Sequence, residues 1–164
     1  MVNFRRGVDL MSNQQVFFME NTAAIAAFET IALSITSTNG TQVAVRDCRF
    51  ITSGGNYPPV NMTNNTSPSP YVASCSPSQG ATDYYPFDGS TGTQYFQNAT
   101  SVVIQCDMGA GNLIVVTGIY IWAAGASAPK SGDIIGYPGG VVIGSFSGQT
   151  GWATAPGEGR TIMF

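Results

Sequence analysis

Histidine is absent from this chain and charge is scarce. Asp, Glu, Lys and Arg together make up 9% of its 164 residues, against roughly 25% in an ordinary soluble domain. Without histidine, a Ser or Cys nucleophile lacks the imidazole base of the common dyads and triads. The acids at Asp47, Asp83, Asp88, Asp107, Asp133 and Glu158 stand in no motif that pairs them for general acid–base work. The expectation is a protein that is not an enzyme. Six basic residues against nine acidic ones, a net charge of −3, form no basic stripe that could follow a phosphate backbone. Nucleic acid is therefore not an expected partner.

Long apolar runs are missing too. No window reaches the roughly 18 apolar residues of a membrane-spanning helix, so no membrane insertion is expected. Arg5 and Arg6 are followed by a stretch broken by Asp9, Asn13, Gln14, Gln15 and Glu20. Such a stretch is not a signal peptide, and folding in a cytoplasm is the expectation. The three cysteines, Cys48, Cys75 and Cys106, form no paired framework and no metal-binding spacing. Cys48 and Cys106 fall within strand-like runs and read as small buried hydrophobes.

What remains abundant is Ser, Thr, Asn, Gln and Gly. A surface built from these has little Coulombic self-repulsion, which suits a chain that ends up in an assembly. The length allows one domain with a core, plus an arm. Residues 1–22 are polar and aperiodic apart from the apolar patch Val16, Phe17, Phe18 and Met19. They read as an extended N-terminal arm, and an arm without a core of its own needs a partner to be ordered. Residues 22–29, Ala-rich with Ile25 and Phe28, have the makings of two helical turns.

Residues 23–164 read as a single β domain. Period-two patterns and short apolar runs predict strands at 31–37, 43–51, 71–75, 101–107, 113–122, 140–147 and 160–164, separated by Gly, Asn, Pro and Ser. Seven strands at this spacing make a sandwich or jelly roll. Residues 56–70, with Pro58, Pro59, Pro68 and Pro70, read as a long surface connection, and 124–139 as a second loop.

Three blocks then stand in a recognisable order: Phe87-Asp88-Gly89-Ser90-Thr91-Gly92-Thr93-Gln94-Tyr95, then Ile104 to Gly109 with Asp107-Met108-Gly109, then Val116 to Trp122. Together they resemble the discoidin, or coagulation factor 5/8 type C, family of galactose-binding-like β-sandwiches. Val141 to Trp152 is similar to the strand and turn that follow in that family. Ile31 to Gly40 and Arg46 to Gly55 are similar to a strand pair that ends many of its domains. Here that pair comes first, an order seen in phage and bacterial surface proteins of the group. Tyr95 stands at the family's Trp position, and Asp47 where the family usually has Glu.

The resemblance implies a discoidin-like jelly-roll β-sandwich. It also implies a structural Ca²⁺ with Asp88, Thr93 and Asp47 as ligands, in keeping with a hard cation that wants six to eight oxygens. The residues by themselves allow another arrangement, with Asp88 closing an Asx-type turn and Thr93 capping the next strand. Tyr57, Tyr84, Tyr85, Tyr95, Phe96 and Trp152 fall in or beside loops, where aromatic faces could stack on a sugar or bury against another chain. Arg5, Arg6 and Val16 to Met19 belong to the second use.

The functional expectation is a non-enzymatic virion protein of a tailed phage. Its arm would dock it onto capsid or tail proteins, in many copies or as a homo-oligomer. The alternative is a carbohydrate-binding module that recognises host glycans.

Overall fold

The computed structural model describes residues 26–164, so Arg5, Arg6, Val16, Phe17, Phe18, Met19 and the first half of the helix expected at 22–29 lie outside the described residues. The second half of that helix does not form. Phe28 instead makes a two-way backbone bridge with Ile114, 3.0 Å in each direction, and its ring is buried in the core. Burying a phenyl group outweighs the weak helical preference of so short a segment.

Ten strands follow: β1 Thr30–Thr38, β2 Val43–Thr52, β3 Gly55–Tyr57, β4 Val72–Ser76, β5 Tyr95–Gln97, β6 Val102–Asp107, β7 Gly118–Ala123, β8 Pro129–Tyr137, β9 Val141–Phe146 and β10 Glu158–Met163. They form two antiparallel sheets. One runs β4-β6-β1-β8-β9, the other β10-β7-β2-β3, with β5 also paired to β2. The protein is an all-β sandwich. Among the described residues, no helix is long and apolar enough to cross a membrane.

The core lies between the sheets and follows the period-two patterns. Val102, Ile104 and Cys106 of β6 are buried while Val103, Gln105 and Asp107 are partly exposed, as the pleat requires. Ile31, Leu33 and Ile35 of β1 meet Ile119 and Ile121 of β7 and Phe50 of β2 in one cluster.

Strand β2 changes parity midway, with Val43 and Val45 buried at one end and Cys48 and Phe50 at the other. Its pairing with β7 slips between Val45 and Asp47, leaving Arg46 as the extra residue of a β-bulge. The bulge lets both halves of β2 contribute to the core while Arg46 and Asp47 remain partly exposed.

Two sequence expectations need correction. Residues 124–139 are not a loop, because β8 fills most of them and pairs with both β1 and β9. Pro129, Gly132 and Gly136 hide the strand pattern. A Cβ at Gly136 would overlap the Phe28 ring, and one at Gly132 would lie 2.7 Å from the Ser34 carbonyl oxygen, so these glycines are sites of close approach and not breakers. The strand expected at 113–122 begins only at Gly118; ahead of it, Ile114 is taken by the bridge to Phe28.

Candidate functional site

The Asp-Gly loop is anchored from below. A 3-10 turn at Tyr85–Phe87 buries Pro86 and Phe87, and the Phe87 ring lies 6.2 Å from that of Phe50 on β2. The chain then turns on Asp88. One carboxylate oxygen accepts from the Ser90 amide at 2.7 Å, the other from the Thr93 hydroxyl at 2.5 Å. This is an Asx turn closed by a threonine. Gly89 has φ +70°, and a Cβ there would collide with the Asn61 amide, so the position suits glycine twice over. Arg46, projected by the bulge, donates from one nitrogen to the carbonyls of Thr91 (2.8 Å) and Pro156 (2.9 Å). It ties this loop to the turn before β10.

Beside the loop, Arg49 of β2 does similar work for the Pro-rich connection. Its side chain is only 7% exposed. Nε donates to Asp47 at 3.1 Å, Nη1 to the carbonyls of Pro58 and Val60 at 3.0 and 3.3 Å, and Nη2 to Asn61 Oδ1 at 2.8 Å. The planar fork satisfies partners that a lysine could not reach together.

Over these residues opens a groove of about 570 Å³, lined by Asp47, Arg49, Asn56, Tyr57, Asn61 and Tyr120, with Gly54 and Gly55 at the hairpin and Gly89 at the Asp-Gly loop. Burial raises the Asp47 carboxyl above its ordinary range, and the Asp88 carboxylate adds a smaller push; the Arg49 guanidinium and the Cys48 amide oppose both. Burial also raises the Tyr120 hydroxyl, helped by Asp47.

Of the sequence-predicted aromatics, only Tyr57 lines this groove. Tyr84 and Tyr85 are half-buried and pack edge to face at 5.0 Å. Phe96 is half-buried on β5, where its carbonyl accepts from the Gln79 side chain. Tyr95 is fully buried in the core, its hydroxyl donating to the Pro77 carbonyl at 2.6 Å. Trp152 is also buried, under the Arg160 guanidinium at 4.3 Å. Tyr95 and Trp152 therefore offer no ring face to a ligand, because the core and Arg160 already cover them.

Each of the residues expected to hold Ca²⁺ already has a protein partner. Asp88 and Thr93 bond each other, Asp47 faces the Arg49 guanidinium, and the Thr91 carbonyl is taken by Arg46. Among the described residues, no cluster of three His, Cys, Asp or Glu side chains could hold a metal.

Sequence reasoning missed Arg49, Asn56, Asn61 and Tyr120. Three charged residues inside the strand-like run of β2, Arg46, Asp47 and Arg49, were a signal for Arg49; nothing local marks Asn61 or Tyr120. Compared with models of known protein families, with characterised proteins and with solved structures, the chain matches none.

Proposed function

We propose that the protein is a non-enzymatic structural component of a tailed-phage virion. In this reading it is a discoidin-like, jelly-roll sandwich docked through its N-terminal arm onto the capsid or tail and present in many copies. The observation that carries the reading is an exposed apolar patch where two sheet edges meet. Strands β9 and β10 close their respective sheets on one side, and they expose Val141, Val142 and Met163 together with Phe164. The Phe164 ring lies against Gly144 of β9, so the two edges are neighbours.

Among the described residues β9 pairs only with β8, which leaves its outer backbone groups open. Monomeric proteins usually guard such an edge with charge, proline or a bulge; β9 contains neither charge nor proline, and its one irregularity is the extra residue Ile143 in the pairing with β8. A neighbouring virion subunit would cover it. The virion context itself comes from the resemblance of the sequence blocks, an argument by analogy.

The test is incorporation into particles. Deletion of residues 1–22 should abolish incorporation while the purified remainder keeps its β-type circular dichroism. Particles that carry the truncated chain at full occupancy would refute docking by the arm.

The groove beside Arg49 favours a second reading, recognition of a host-surface glycan. It combines tyrosines with amide and carboxylate groups in one concavity, and a few fixed polar groups are what orient a ligand in such a site.

A further inference from the structure

We propose that the groove between β2, residues 54–61 and Gly89 is a binding site for a short neutral saccharide, with Asp47 and Asn61 as the pair that recognises hydroxyls. This deepens the glycan-recognition reading and rests on it.

A volume of about 570 Å³ falls within the range of small-molecule sites, roughly 300–1,000 Å³. Its polar groups are held in place before any ligand arrives. Arg49, itself buried, donates to Asn61 Oδ1 at 2.8 Å, which leaves the NH₂ of this exposed side chain, beside Gly89, as its donor without a partner among the described residues. The same guanidinium holds Asp47 at 3.1 Å, and the Asp47 side chain keeps 15% of its surface exposed at the groove.

One buried cation thus orients an acceptor and a donor on the same wall. Sugar hydroxyls both donate and accept, so a vicinal pair matches that wall. Fixing the groups in advance removes ordering cost from binding. Tyr57 and Tyr120 line the same groove; Tyr120 packs its ring edge and hydroxyl on Gly159 of β10, so Tyr57 is the ring that offers an apolar surface for sugar C–H groups and a hydroxyl.

The charge pattern selects against acidic ligands. Arg49 directs its N–H groups at Asp47, Pro58, Val60 and Asn61. It has little left for a carboxylate or phosphate, and the Asp47 carboxylate repels both. The site therefore favours a neutral hexose over a sialylated or phosphorylated one.

Two variants test the assignment without dismantling the fold. Asn61→Asp keeps the oxygen that Arg49 needs and replaces the donor with a charge. Gly54→Phe fills the mouth from a position where a Cβ meets only Thr52 Oγ1 at 3.7 Å. The full chain is titrated calorimetrically with galactose, glucose, mannose, N-acetylgalactosamine and sialyllactose, and is also applied to a glycan array.

The proposal expects binding of at least one neutral sugar, no gain from sialylation, and a loss of about tenfold or more in affinity in each variant at unchanged melting temperature. Neutral-sugar binding that both variants leave intact would place the site elsewhere, overturning this inference while the glycan reading stands. A preference for sialyllactose would overturn the charge argument, and with it the assignment. No binding to any glycan by the full chain would overturn the inference and the glycan reading together.

Discussion

At the scale of single residues, scarce charge is concentrated at attachment points. The described residues contain four basic side chains, Arg46, Arg49, Lys130 and Arg160, and each of the three arginines donates to carbonyls of a loop. Arg160 holds those of Thr150 and Gly151 at 2.9 Å while lying over Trp152. The cysteines play the opposite part. All three are free and buried; burial raises each thiol, that of Cys106 from 9.0 to about 12. The unfolded chain loses these protons first, so the associated stability is complete below pH 9 and is lost as pH rises toward 12. Urea midpoints of the native protein should therefore fall through this alkaline range, and less steeply in Cys106→Ala. Parallel slopes in the two proteins would show that Cys106 does not carry the effect.

At the scale of elements, glycines admit neighbouring rings. Gly136 of β8 lies under Phe28, whose bridge to Ile114 ties the first described residues to the segment before β7. Gly136→Ala should push that ring out of place and cost about 1–3 kcal/mol, the usual range for overpacking. Urea unfolding measures it against Gly54→Ala, where a Cβ makes only an ordinary contact with Thr52 Oγ1 and about 0.5 kcal/mol or less is expected. Equal stability of the two variants would mean that Phe28 is not held as described. The same glycines explain why β8 reads as a loop in sequence: the residues that let it pack are those that usually interrupt a strand. In β2 the reverse holds. The shift from buried Val43 and Val45 to buried Cys48 and Phe50 is visible in the order of the letters, but only pairing with β7 identifies Arg46 as the bulge.

At the scale of the whole molecule, the edge strands β9 and β10 of the two sheets come together. On the side where β9 and β10 run together, Val142 is 55% and Met163 60% exposed, an arrangement that favours association with another chain. Sedimentation of the purified protein should show concentration-dependent self-association. Val142→Lys should reduce it at unchanged melting temperature, because the substituted side chain already faces water. A wild-type chain that stays monomeric at high concentration would remove this edge as a self-contact.

The amino-acid sequence by itself determined the class of the molecule. Period-two burial in β6 and β7, the burial of Cys48 and Cys106, and the turn at Asp88 are all local, set by the pleat and by the short reach of a carboxylate to the amide two residues on. Tertiary structure alone decided which polar residues share a site. The groove draws on Asp47 and Arg49, on Asn56 to Asn61, on Gly89 and on Tyr120. These segments meet because β7 lies beside β2 and because one buried guanidinium holds the Pro-rich connection down. Strand order and that single long-range anchor have no period or motif to announce them. The aromatics that looked exposed in sequence, Tyr95 and Trp152, went inside for the same reason: burying a large ring stabilises the core more than a loop position predicts.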